Sequence, residues 1–456
     1  MTRSILVIGL ARAVSLAFGV ILLAVLARRL GPGGFGTLQL ALAVMAYPLI
    51  FVDLGLTTLG LREIARGSPS SEVVDRVVPA RLTLLVATLL VLAAGLVLVP
   101  VSMELRTVLV VLGIGLPAAA LNARWVIQGK RRFGQTAFID VVTTGSQLLA
   151  ALILVNPGDE ALAAAGALTI AAWTTTATSV LLAGRWPRPR SALGLHIPAT
   201  ILRGLPLGAA SIAITIYYSF DTILLGIFRS GEEVAYYAAA YRVILPVLSL
   251  AGAVGTVAIP QLSFLVARRD AGTGIAVTRL CRQLVLWALP MAVGGALTAE
   301  PIILLVFGPE FLPAVAPFQI LIWSVVTVYS NAAFAFLLLA RGRDRRYLAA
   351  AAAGALVNMG LNLLIIPIAG MLGAALTTIV SELTVLSLLV WWTRDVSFAA
   401  LPAAMRTAAI PTVVMALVVW PIRYSLLAVP AGIVAFLLVA AATGAIPVRS
   451  ALARLR

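Results

Sequence analysis

Apolar residues in this chain come in long unbroken runs, with few polar positions at either helical or strand spacing inside them. Runs of 18 or more recur from end to end, which is the length needed to cross a hydrocarbon layer about 30 Å thick. Backbone groups in lipid must find partners within their own segment, so each run predicts an α-helix. None shows the ten-residue alternation of a membrane barrel. The pattern predicts fourteen spans, near 5–27, 36–60, 78–100, 106–127, 134–156, 160–183, 204–228, 234–260, 283–307, 313–340, 347–367, 370–393, 401–422 and 424–446. Short connections rich in Gly and Pro join them, leaving no room for a separate soluble domain. The expected fold class is an all-α polytopic membrane protein.

Composition agrees. Of 456 residues, 62% are hydrophobic and 11% charged, against about 25% charged in soluble domains. The net charge of +16 suggests nucleic acid only until the basic residues are placed. Connections after the even-numbered spans, with the termini, hold 26 of the 33; the opposite side holds Arg28, Arg29, Arg106, Arg229 and Arg423; Arg12 and Arg242 fall within spans. Such asymmetry is the positive-inside signature. It predicts a multi-pass protein of a bacterial inner membrane, both termini cytoplasmic, with the bilayer as its surroundings and no nucleic-acid partner. The run after Arg3 reads as a first span rather than a removed signal. One cysteine, Cys281, excludes an internal disulfide, and one histidine, His196, makes a zinc site implausible, so no metal and no resident cofactor are expected.

The chain also resembles itself. Residues 26–45 align with 225–244 at an offset of 199, matching spans 1–2 to spans 7–8, and "QGKRRF" (128–133) parallels "RGRDRRY" (341–347). Two pseudo-symmetric six-helix lobes follow as the expectation, 1–190 and 191–398, with two additional helices and a tail over 399–456. Six is even, so the lobes would share one orientation, as in transporters built from parallel repeats.

Four blocks carry a family resemblance: "LARRLGPGGFG" (26–36) with "DLGLTTLGLREIAR" (53–66), "DTILLGIFRSGEEVAYYAAAYRV" (221–243), "FGPEFLPAVAPFQIL" (307–321) and the stretch 341–376. They resemble Wzx-type polysaccharide flippases, in the multidrug/oligosaccharidyl-lipid/polysaccharide exporter superfamily. The resemblance covers most of spans 1–12 and is weak over spans 13 and 14. It implies two bundles around a central cavity lined by spans 1, 2, 7 and 8. It also implies the task of moving undecaprenyl-pyrophosphate-linked glycans between leaflets, without covalent chemistry. A polysaccharide polymerase and a chain-length regulator are the partners such a role brings, and a proton or sodium ion is a candidate for coupling.

Charges inside spans are candidates for function, each needing a partner. Asp221 and Arg242 lie about equally far from the turn between spans 7 and 8, so on antiparallel neighbours they would reach one depth. Arg12 and Asp53 are symmetric in the same way about the first turn. Each pair reads either as an interhelical clamp, or as a gate or coupling group, or as a contact for the substrate pyrophosphate, to which guanidinium is suited. Glu382, alone in span 12, reads as a protonated, hydrogen-bonded carboxyl, and Asp140, beside Thr143, Thr144 and Gln147, as a group for interhelical hydrogen bonding. Asn358 and Asn362 share a helix face and read as glue between helices or as a sugar contact. Arg28 and Arg29 either meet the pyrophosphate at the periplasmic side or snorkel to lipid phosphate. Tyr217 and Tyr218, with Tyr236, Tyr237 and Tyr241, fit an interfacial aromatic belt or a surface for stacking on sugars.

Rival functions remain open at this point: a drug or cation antiporter, a peptidoglycan-precursor flippase, or, from a different class, a membrane-embedded glycosyltransferase or polymerase. The last would need a large periplasmic loop carrying catalytic groups, and the periplasmic loops are short. The Asp221–Arg242 expectation is testable by substitution. Stranding one buried charge costs about 3–5 kcal/mol, so Asp221→Asn is expected to lower thermal stability more than Asp221→Asn with Arg242→Gln. Equal damage from the single and double variants would show that the two residues do not meet.

Overall fold

The computed structural model describes residues 2–158, 160–184, 196–268, 270 and 272–446; the Tyr217 and Tyr218 side chains lie outside the described residues. All regular structure among the described residues is helical. Ten stretches are long and apolar enough to span a membrane, and two shorter apolar helices, Ser219–Phe228 and Ala428–Ala442, join them. Two of the ten, of 45 and 49 residues, are bent at Gly31 and Gly370. Each is about twice the length that one crossing requires. Counting each bent stretch as two crossings recovers the fourteen expected spans.

The chain groups into two compact units, residues 1–226 with 230–235, and residues 227–229 with 236–456. Most of the seventh span therefore groups with the first unit, and the last two spans with the second.

In the first unit, α1 (Thr2–Asp53) turns at Gly31, whose φ of 62° is the left-handed region that glycine tolerates. The sequence places span 2 continuously over 36–60, but the helix stops at Asp53. Leu54 and Gly55 take φ values of 40° and 79°, and α2 (Leu56–Ala65) starts afresh. The Asp53 carboxylate accepts the Thr57 backbone N–H at 3.1 Å and the Thr57 hydroxyl, supplying partners to the new helix start. Glycine permits the bend to be tightly packed: a Cβ on Gly208 would lie 2.7 Å from the Leu54 carbonyl oxygen. The next crossing, α3 (Ser70–Leu98), is continuous.

Span 4, expected as one helix over 106–127, is broken into α4 (Met103–Gly113), α5 (Leu116–Leu121) and α6 (Arg124–Gly129). Each break frees backbone groups that hydrocarbon cannot satisfy. After α7 (Phe133–Leu154), helix α8 (Ala161–Ala183) supplies the missing partners from one face. Thr169 donates to Val111 O at 3.0 Å, Trp173 to Ile114 O at 3.1 Å and Thr176 to Ala118 O at 2.8 Å. Ser179 accepts the Ala123 N–H at 3.0 Å. Spacings of four, three and three keep these side chains in one row. A buried apolar cluster including Leu56, Ile64, Val77, Trp125, Ile127 and Ile139 sits beside the breaks. Helix α9 (His196–Phe228) reaches the same region through Gly204 and Gly208.

In the second unit, most of α10 (Gly231–Ala267) is followed by α11 (Thr273–Leu297) and the short α12 (Ala299–Phe307). A 3-10 turn over Pro309–Ala314 leads to α13 (Val315–Leu321) and α14 (Ser324–Ala340). Helix α15 (Asp344–Trp392) bends at Gly370, and α16 (Arg394–Val419) and α17 (Ala428–Ala442) complete the unit. Tyr237 is only 1% exposed and stacks on Tyr241 with centroids 5.9 Å apart, while Tyr236 meets the Phe311 edge at 6.0 Å. Both side chains pack against neighbouring rings, and Tyr237 is buried.

Close main-chain approach gives a stability test. A Cβ on Gly36 would lie 1.9 Å from the Gly231 carbonyl oxygen, whereas one on Gly33 meets nothing within 4 Å. Gly36→Ala is expected to cost about 1–3 kcal/mol through forced backbone displacement, with Gly33→Ala neutral to slightly stabilising. Thermal unfolding of detergent-purified protein measures both, and equal melting of the two variants would contradict the packing described.

Candidate functional site

Polar side chains inside the first unit converge where spans 2 and 4 are broken. Arg81, four residues into a span, looks like one more orientation arginine, yet it is 5% exposed. It donates to Ala119 O at 2.6 Å and to Asn122 O at 3.2 Å, and its Nε lies 3.5 Å from the Asp53 carboxylate. A guanidinium suits this task because its donors fan out in a plane and can address several acceptors together. The carbonyls belong to the C-terminal end of α5, where a positive charge is favoured by the helix dipole. One cation thus completes one broken span and pairs with the acid that starts α2.

This corrects the expected Arg12–Asp53 pair. Asp53 is turned to Arg81 and Thr57, while Arg12 is exposed and makes no ion pair among the described residues. Symmetric distance from a turn was a poor guide because the helix ends at Asp53 rather than continuing to 60.

Glu63, in the segment "REIAR", was not singled out from the sequence. It accepts from Arg76 at 2.8 Å and Arg203 at 2.6 Å, joining α2 to α3 and to the start of α9. Asp140 makes the interhelical contact expected of it: Arg124 of α6 holds it in a fork, both bonds 2.9 Å. Thr143 accepts from Thr175 across α7 and α8. The Arg29 guanidinium donates to the carbonyls of Ala151, Leu152 and Val155, at the end of α7. It is therefore engaged at a helix terminus. Arg229 does the same in the second unit, donating to Ile366 O at 3.2 Å and Ile368 O at 2.7 Å beside the Gly370 bend. The arginine closing the first span of each lobe thus caps the fifth span of that lobe. Arg28 is exposed.

Asp221 is 4% exposed, accepts the Thr222 N–H at 2.8 Å and interacts electrostatically with Tyr47. It belongs to the first unit, and Arg242, which is exposed, belongs to the second. In the second unit Glu382 is hydrogen-bonded, as expected: Asn331 of α14 donates to its carboxyl group at 2.8 Å. Asn358 and Asn362 are buried and bonded to each other at 3.0 Å. Among the described residues no group of three or more His, Cys, Asp or Glu comes together, and Cys281 is buried.

The two ion pairs of the first unit separate by burial. Arg81→Gln leaves Asp53 and two carbonyls poorly partnered and is expected to cost about 3–5 kcal/mol. Asp140→Asn removes a pair whose partners are 36% and 43% exposed and is expected to cost about 1 kcal/mol or less. Thermal melts of the two variants in detergent test the ranking; a milder effect at Arg81 would remove it from the central position assigned here.

Comparison with known proteins follows the same outline. The chain is 24% identical over 392 residues to a putative O-antigen transporter of Escherichia coli (strain K12), covering 81% of this chain and 91% of that protein. It is 24% identical over 306 residues to one from Shigella flexneri, covering 63% and 72% respectively. Among solved structures, a lipid II flippase, MurJ, in an inward closed conformation superposes with a TM-score of 0.78 at 13% identity, covering 96% of this chain and 99% of that one. An inward-facing multidrug resistance MATE family transporter of the MOP superfamily gives 0.66 at 14% identity, covering 84% and 95%. These likenesses show a shared all-helical fold, and the apolar stretches mark a multi-pass membrane protein. Residues 1–266, more than half of the chain, match the polysaccharide biosynthesis protein family, and the chain belongs to that family.

Proposed function

We propose that the protein is a flippase that carries oligosaccharide units linked to undecaprenyl pyrophosphate from the cytoplasmic to the periplasmic leaflet. The observation that carries this reading is the alignment with O-antigen transporters over most of both chains, within a polysaccharide biosynthesis family. The chemistry suits it. A glycan–pyrophosphate head needs a polar path through a low-dielectric layer, while the prenyl tail stays in lipid, so no bond is made or broken. The path would open alternately to the two faces of an inner membrane, with both termini in the cytoplasm.

Within this proposal Asp221, Arg242 and Arg12 are the candidate groups along the path. Asp53, Asp140 and Arg29 already serve helix ends or arginines, and their role is to hold the scaffold. Glu382, hydrogen-bonded within the second unit, is a candidate for the proton or sodium coupling step. A polymerase and a chain-length regulator would act on the delivered units. A peptidoglycan-precursor flippase is the second reading, supported by the fold likeness to MurJ.

Deletion of the gene followed by mass spectrometry of lipid-linked intermediates tests the reading. Completed units are expected to accumulate on undecaprenyl pyrophosphate, accessible only from the cytoplasmic side, and to clear on complementation. Accumulation of lipid II instead would support the second reading, and incomplete glycans would point to a biosynthetic enzyme.

A further inference from the structure

A second polar feature lies in the second unit, well away along the chain from the Arg81 cluster. The first turns of α11, the first half of α16 and the end of α17 enclose an open cavity of about 590 Å³. That volume falls within the range of small-molecule sites, about 300–1,000 Å³. Its polar lining includes Thr278, Arg279, Arg282, Gln283, Thr407 and Asp395. Arg279 and Arg282 are three apart on α11, so they share a face, and both are exposed. Among the described residues neither arginine has a hydrogen-bond or ion-pair partner.

The acid in the wall does not neutralise them. Asp395 is engaged by Arg341, with Nη1 3.1 Å from Oδ1 and Nη2 on Oδ2. The cavity therefore presents two guanidinium groups whose charge the lining does not balance. Apolar side chains complete it, including Ile275, Leu286 and Val396, with Ile275 66% exposed. The connection that precedes α11 is also basic in sequence, with Arg268 and Arg269. Positive charge beside an apolar wall at a membrane face matches an amphiphile with an anionic head.

We propose that this cavity binds the phosphate head of an anionic membrane phospholipid. Arg279 and Arg282 would grip the phosphate oxygens, for which the guanidinium fork is well shaped. Thr278, Gln283 and Thr407 would bond the hydroxyls of a glycerol headgroup, as in phosphatidylglycerol, and Ile275 and Leu286 would flank the start of the acyl chains. The bound lipid would supply the negative charge that the wall lacks.

The test uses the purified full chain in detergent and native mass spectrometry with phosphatidylglycerol, phosphatidylcholine and inorganic phosphate as probes. Phosphatidylglycerol is expected to bind in preference to phosphatidylcholine. An arginine near a lipid surface contributes about a fivefold change in affinity, so Arg279→Gln with Arg282→Gln is expected to weaken phosphatidylglycerol binding about 25-fold. Arg279→Lys with Arg282→Lys should weaken binding less than the Gln pair, since the charge stays and the fork is lost, and Arg345→Gln with Arg346→Gln, at exposed basic positions outside the cavity, should leave it unchanged. All variants are compared at matched thermal stability and elution profile. The proposal is overturned by equal binding of the two lipids, by undiminished binding in the Gln pair, or by loss of binding in the Arg345/Arg346 control. Displacement of the lipid by inorganic phosphate at equal concentration would also overturn it, making the cavity a free-phosphate site.

Discussion

Hydrocarbon offers no hydrogen bonds, and the main chain of this protein is interrupted at several points inside its membrane-spanning stretches. The rest of the structure is arranged around that constraint. Where span 4 breaks, one face of α8 and the Arg81 guanidinium take up the freed groups. Where α7 ends, Arg29 crosses from α1 to meet its carbonyls, and Arg229 repeats the act for α15. Interior polar residues that look like functional candidates are in several cases spent on the backbone. A charge left over after this work is a stronger candidate than a charge that is merely buried.

The division between what could and could not be read from the sequence follows the same line. Span number comes from the length of apolar runs, a property of solvent and helix rise, and all fourteen spans are found. Orientation of the candidates comes from partners, which run length does not specify. Asp53 lost its expected partner because Leu54 and Gly55 break the helix, and nothing in "DLGLTT" marks a left-handed turn except one glycine. Interhelical bonding at Asp140 is legible in the sequence, but its partner is not, because Arg124 sits sixteen residues back, across the connection between α6 and α7. Arg81 was counted among orientation arginines because charge counting is blind to burial. Its position four residues into an apolar run was the available signal. Glu63 carried no signal at all, since an acid flanked by arginines near a membrane face is ordinary.

The repeat shows the same contrast. Sequence alignment at an offset of 199 pairs Leu30 with Arg229, one place away from Arg29. In the structure Arg29 and Arg229 do equivalent work, each joining the first span of its lobe to the fifth. The length of an arginine side chain absorbs a shift of one position, so the function of the contact is kept while the column of the alignment is not. At this contact the two lobes agree in the work done and not in the aligned position.

The approach of Gly36 to Gly231 has a consequence for how this position can vary. Gly36 faces a carbonyl oxygen of the main chain, and a main-chain atom is identical in every amino acid. No replacement of the facing residue can make room for a larger group, so a lesion at Gly36 has no compensating partner across the contact. The same holds for Gly208 against Leu54. Such contacts leave no paired substitutions behind them, and methods that infer proximity from correlated change between positions will pass over them although they are among the tightest in the unit.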